Sequence, residues 1–233
     1  MGYYGFFDPT MILVLIGVAL SMWASARVNS TFARYSGVRS TTGMTGAEAA
    51  KRLLNNQGIY DVTVRKVAGK LTDHYDPRTK TVNLSESVFD STSVAAIGVA
   101  AHECGHAMQD NTEYVPLKLR AAIVPAANIG AQISWPLILI GVFIAGMGSP
   151  IVMIGILLFS LSVLFQLVTL PVEFNASARA VRLLDETGIL HGDEVDGTRK
   201  VLGAAALTYV AAAAGSILQL LRLLILFGGR RDD

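Results

Sequence analysis

Residues 10–26 contain no charged side chain and few polar ones. Such a run must satisfy its backbone hydrogen bonds internally and place its side chains in an apolar medium. It is therefore read as a helix about long enough to cross a bilayer. Asp8 precedes the run and no Lys or Arg does. The basic segment of a cleaved signal peptide is thus missing, and the run is read as an uncleaved anchor. Two further apolar runs, 133–147 and 151–170, are separated by a charge-free turn at 146–150. Basic residues lie after the first run (Arg27, Arg34, Arg39, Lys51, Arg52) and on both flanks of the pair (Lys118 and Arg120 before, Arg179 and Arg182 after). Since Lys and Arg mark cytoplasmic flanks, the anchor runs inward and the pair is a hairpin entering from the cytoplasm and returning to it.

Composition supports this division. Hydrophobic residues make up 52% of the chain and charged residues 16%, against roughly 25% charged in an ordinary soluble domain. The net charge of +1 gives no electrostatic reason to expect a nucleic-acid partner. The last apolar stretch, 201–227, is less regular, with alanines first, Gly215 in the middle and Arg222 in its second half. Crossing the membrane there would put Arg230 and Arg231 outside, against the charge rule. The stretch is read as a helix packed on the catalytic domain, followed by an in-plane or partly inserted segment, with a fourth span as the alternative.

Residues 41–110 have a different pattern. Thr45 with Glu48 three positions later is a capping box opening a short amphipathic helix. Residues 59–67 alternate as a half-buried strand does. A turn at Asp76-Pro77 precedes a second strand, 80–84, whose edge could pair with an extended peptide. Ser91 or Ser93 then starts a long helix.

That helix carries His102-Glu103-Cys104-Gly105-His106, an HExxH motif. Positions i and i+4 share a helix face, so both imidazoles can reach one ion. Glu103 is turned aside, yet close enough to take a proton from a water held there. Cys104 is the only cysteine, so no cysteine cage can bind the ion, and its position suits packing. Gly105 costs about 1 kcal/mol of helix propensity against alanine, which a close approach of another element would justify. A catalytic zinc takes three protein ligands and leaves one position open. The third must come from elsewhere. Glu173, read as lying at the start of a helix after the hairpin, is the leading choice, although helix-dipole complementarity would also explain an acid there. His74 and His191 are rivals. For the developing oxyanion, Tyr209 is the donor proposed from the sequence.

Residues 102–110, 73–90 and 171–180 together resemble the YugP-type neutral zinc metallopeptidases of bacteria and, more distantly, the HtpX-type and CAAX prenyl membrane proteases. The resemblance implies a gluzincin site in which His102, His106 and Glu173 bind Zn²⁺ and Glu103 is the base. It also implies a site facing the cytoplasm beside the bacterial inner membrane. In the HtpX-like pattern an Asp follows the ligand Glu by four positions and supports a ligand histidine. Ser177 stands there in this chain, leaving Asn175 and Ser177 as the candidates for that role.

The expected fold class is a mainly α membrane protein: transmembrane helices plus a small α+β zincin-like catalytic domain built on the HExxH helix. Residues 1–28 would be the anchor, 29–127 the cytoplasmic segment with the HExxH helix, and 128–170 the hairpin. Residues 171–215 would complete the catalytic domain, and 216–233 would form the C-terminal apolar segment and basic tail. The expected activity is zinc endopeptidase, acting on a peptide or membrane-protein substrate in contact with the lipid bilayer, without nucleic acid. Two alternatives stand beside it. One is an adaptor or chaperone with structural zinc. The other is an intramembrane site-2-like protease, for which Val195-Asp196-Gly197 would supply the second acid.

Overall fold

The computed structural model describes residues 8–146 and 148–228. Arg230 and Arg231, and Met147 at the end of the second apolar run, lie outside them. The elements run α1 (Met11–Ser36), α2 (Gly46–Asn56), β1 (Thr63–Val67), β2 (His74–Asp76), β3 (Thr81–Ser85), α3 (Glu86–Phe89), α4 (Val94–Asn111), α5 (Val115–Ile140), α6 (Pro150–Glu186) and α7 (Asp193–Phe227). A π turn, Gly141–Ala145, ends α5. The chain is mainly helical with one small sheet. Among the described residues four helices, those of α1, α5 with its π turn, α6 and α7, are long and apolar enough to cross a membrane.

The chain divides into two compact units. The first comprises Met1–Ala24, Leu119–Leu170 and Thr208–Asp233. Its packing is that of membrane helices, in which small residues let backbones approach. A Cβ on Gly17 of α1 would lie 3.2 Å from the Gly215 Cα of α7. Ile138, Val152, Ile156 and Leu223 form a buried cluster joining α5, α6 and α7, whereas Phe143, Ile144 and Leu157 are exposed, as lipid-facing side chains are. Arg222, the charge inside the last apolar stretch, donates to Asp8 at 2.8 Å. The expected break in 201–227 is absent, because α7 is one helix from Asp193 to Phe227. Alanines are strong helix formers and Gly215 forfeits only about 1 kcal/mol, while the Asp8 partner offsets the charge of Arg222.

The second unit comprises Ser25–Lys118 and Pro171–Leu207. Thr45 and Glu48 form the capping box in both directions, so α2 begins where the sequence says. Ser93 caps α4 by accepting from the Ala96 N–H at 3.2 Å. The sheet order is β1-β3-β2, with β1 parallel and β2 antiparallel to β3. This corrects the expectation for 80–84. β3 is the central strand, its N–H and C=O groups already paired on both sides, so it offers no edge. The cause is β2, a three-residue strand too short for a periodicity signal. Leu53, Leu54, Leu84, Ile97 and Leu184 are fully buried in one core with the small-residue face of α4.

Candidate metal centre

Helix α4 carries the motif as one uninterrupted helix among buried neighbours. His102 Nε2 and His106 Nε2 lie 3.2 Å apart, with ring planes at 85°. Glu173 Oε2 is 3.2 Å from the first and 3.6 Å from the second. Tetrahedral coordination with bonds of about 2.0–2.1 Å separates donor atoms by about 3.3–3.4 Å. The three spacings match that edge length, so the donors fit a zinc ion that still has one position open. They form the metal-ligating group found among the described residues, and neither His74 nor His191 belongs to it. His74 instead sits on β2, with Nδ1 2.8 Å from the Thr72 carbonyl and Nε2 3.2 Å from Asn83 Nδ2. Asp196 pairs with Arg199 at 2.6 Å in the first turn of α7.

Glu173 comes from the middle of α6, which corrects its expected position at a helix start. Pro171 is inside α6. It removes one ladder bond, a loss that membrane helices tolerate. Complementarity to a helix dipole therefore does not account for Glu173. Its residue is 2% exposed, and a buried carboxylate must be paired or bind a metal.

Gly105 explains how α6 reaches α4. A Cβ there would lie 2.6 Å from the Ala176 carbonyl oxygen and 3.0 Å from its Cα. The helices touch backbone to backbone at Gly105, beside His106, and Ala176, three residues after Glu173. Cys104, on the opposite side, points its Sγ at the Ala50 carbonyl at 3.6 Å. Burial, aided by the charge of Glu103, pushes this thiol well above its ordinary range, so it packs as a neutral group.

Around the ligands, His102 Nδ1 lies 3.1 Å from Ser177 Oγ and His106 Nδ1 lies 3.0 Å from Gln109 Oε1. Gln109, fully buried, also donates to the Val172 carbonyl at 2.8 Å and to Asn175 Oδ1 at 3.0 Å. Arg179 Nε donates to the same Asn175 oxygen at 2.9 Å. Such contacts fix the ring orientation and tautomer of a ligand histidine. Ser177 thus acts directly on His102, and Asn175 acts on His106 through Gln109. Sequence reasoning missed Gln109, although its i+3 spacing from His106 was available as a signal. Burial opposes protonation of His106, but the Glu173 hydrogen bond and the Glu103 and Glu173 charges outweigh it and raise its pKa. The same negative field favours a dication between the rings.

Glu103 is 8% exposed. Among the described residues it makes no hydrogen bond or ion pair. Tyr209 belongs to the other compact unit.

Four apolar helices together with a His-His-Glu group able to hold zinc, all among the described residues, are what a membrane zinc metallopeptidase requires. The chain belongs to the family described as "Putative neutral zinc metallopeptidase", which matches residues 10–228. It is similar to the protein named "Putative membrane protease YugP" of Bacillus subtilis (strain 168), with 46% identity over 223 residues, covering 96% of this chain and 98% of that one. No solved structure matches it.

Proposed function

We propose that this multi-pass membrane protein is a zinc endopeptidase of the gluzincin type, with Glu103 as general base and a zincin-like second unit. The observation that carries the reading is Glu103 itself. It is a mostly buried carboxylate on the ligand helix that forms no hydrogen bond or ion pair among the described residues, although a buried charge is costly without a task. Zinc held by His102, His106 and Glu173 would supply Lewis-acid polarisation of the scissile carbonyl and a lowered pKa for water. Glu103 takes the proton of the attacking water and delivers it to the leaving amine. Ser177 and Gln109 hold the two imidazoles so that their Nε2 atoms stay directed at the ion. Tyr209 is proposed to donate to the developing oxyanion.

With β3 enclosed, the outer edge of β2 is the place for an extended peptide to pair. β2 is tied to α4 by Tyr75, whose hydroxyl donates to Asp110 at 2.8 Å. Basic residues at the ends of the apolar runs support a site facing the cytoplasm. A purely structural zinc is disfavoured because such sites are closed by four protein ligands. A site-2-like arrangement is disfavoured because His102 and His106 sit on α4, which is not one of the four apolar helices.

The test is zinc content and casein hydrolysis of the purified full chain as wild type, Glu103→Gln and Tyr209→Phe. Both variants should keep zinc. Glu103→Gln should lose hydrolysis by at least a hundredfold, in line with the usual contribution of a general base of about 10²–10⁴, and Tyr209→Phe should lower the turnover number. Full hydrolysis by Glu103→Gln would refute the assignment of the base.

A further inference from the structure

A second site lies in the same unit, apart from the metal ligands. A cavity of about 380 Å³ is lined by Arg27, Ser30, Thr31, Arg34 and Tyr35 of α1 and by Lys200, Gly203, Ala204 and Leu207 of α7. Arg27, Thr31 and Arg34 fall at i, i+4 and i+7, so one face of α1 carries two guanidiniums about two turns apart. Lys200 supplies a third cation from the facing helix. Among the described residues, none of those lining the cavity is a carboxylate. Neither Arg34 nor Lys200 makes an ion pair with a described residue; the Arg34 guanidinium lies 5.6 Å from the ring centroid of its neighbour Tyr35. Arg34 and Lys200 face one concavity from two helices, and an anion between them would complement both charges. Thr31 and Tyr35 add hydroxyl groups to the wall. The Ser30 hydroxyl donates to the Arg27 carbonyl at 3.1 Å.

Both helices change character at this level. The apolar run of α1 ends at Ala26, immediately before Arg27, and that of α7 begins at Val201, immediately after Lys200. The cavity therefore runs from a cationic end, Arg34 and Lys200, toward the membrane-side end, where Arg27 stands beside the apolar Ala204 and Leu207. A free inorganic anion has no use for those apolar residues, whereas a lipid phosphate with acyl chains attached matches both ends.

We propose that this cavity, formed by Arg27, Arg34 and Lys200 with Tyr35 and Leu207, binds the phosphodiester headgroup of an anionic phospholipid. The site is independent of the hydrolytic reading, since it shares no residue with the metal-ligating group.

The experiment uses the full chain in detergent micelles and measures dissociation constants for dioctanoyl phosphatidylglycerol, dioctanoyl phosphatidylcholine and inorganic phosphate. Wild type should bind the anionic lipid at least tenfold more tightly than the zwitterionic one, and millimolar phosphate should not displace it. Arg34→Gln/Lys200→Gln should lose at least tenfold in that affinity while keeping its zinc. A charge-matched control, Arg65→Gln/Lys70→Gln, removes two exposed cations elsewhere and should bind as wild type. The proposal is overturned by equal affinity for the two lipids, by an equal loss in the control, or by displacement with free phosphate. The wild-type lipid preference involves no substitution, so it decides the matter even if the double variant folds poorly.

Discussion

Replacing Gly105 by alanine sets two effects of opposite sign against each other. On an isolated helix, the change stabilises by about 1 kcal/mol, because glycine loses more backbone entropy on ordering. In this structure the new Cβ would meet the Ala176 carbonyl oxygen at 2.6 Å and its Cα at 3.0 Å. Ordinary carbon–oxygen contact is about 3.3 Å, so α4 and α6 must separate by roughly 0.7 Å; the obstructing atoms are backbone, with no rotamer to relieve them. Overpacking of this kind costs about 1–3 kcal/mol, which exceeds the gain in propensity. The same separation carries Glu173 away from the imidazoles. Metal–donor distances tolerate only about ±0.2 Å, so zinc binding should weaken more than folding does. We expect Gly105→Ala to lower the thermal midpoint and to weaken zinc by at least tenfold in a chelator competition. A variant with a higher midpoint and wild-type zinc affinity would show that backbone contact does not set the α4–α6 spacing, and the geometric account of the site would fail.

Gln109→Leu should cost about tenfold to a hundredfold in zinc affinity, because His106 loses its orienting acceptor while all three ligands remain. Wild-type zinc affinity in that variant would remove Gln109 from the site. Asp110 accepts from Tyr75 and from Lys80 Nζ, each at 2.8 Å. Burial opposes its ionisation, but the Lys80 and Tyr75 hydrogen bonds and the Lys80 charge win, and its pKa is lowered from 3.8. A lowered folded pKa gives stability that is complete above 3.8 and is lost as pH falls through the folded value. The partner Lys80 is raised from 10.5, so its contribution is complete below 10.5 and is lost as pH rises through its folded value. Denaturation midpoints of Asp110→Asn should therefore fall below wild type across neutral pH and converge with it in acid. Parallel profiles down to pH 2 would refute the role of the pair.

Much of the site was legible because it is local. Two histidines four apart need only a helix to share a face, and Thr45 with Glu48 needs only one turn to close a capping box. Ser177 could be singled out only through the family resemblance, in which the residue four positions after the ligand Glu supports a histidine. Gln109 was not, since a buried amide bridging α4 and α6 looks in sequence like any polar residue at a helix end. The strand β2 was hidden by its length, and with it the enclosure of β3. The continuity of α6 and α7 was hidden by Pro171, Gly215 and Arg222: one lost ladder bond is tolerated at Pro171, alanine propensity outweighs Gly215, and Asp8, distant in sequence, pairs with Arg222.

By itself, the order of residues determined the apolar helices and the histidine pair on α4, with Glu103 beside it as the proposed base, since hydropathy and helical periodicity act over one to a few turns. Only tertiary structure decided the third donor, the orienting hydrogen bonds and the enclosed strand. The first two depend on α6 meeting α4 where Gly105 leaves room, a contact between residues some seventy positions apart that no local pattern encodes, and the third depends on the pairing of β2 with β3.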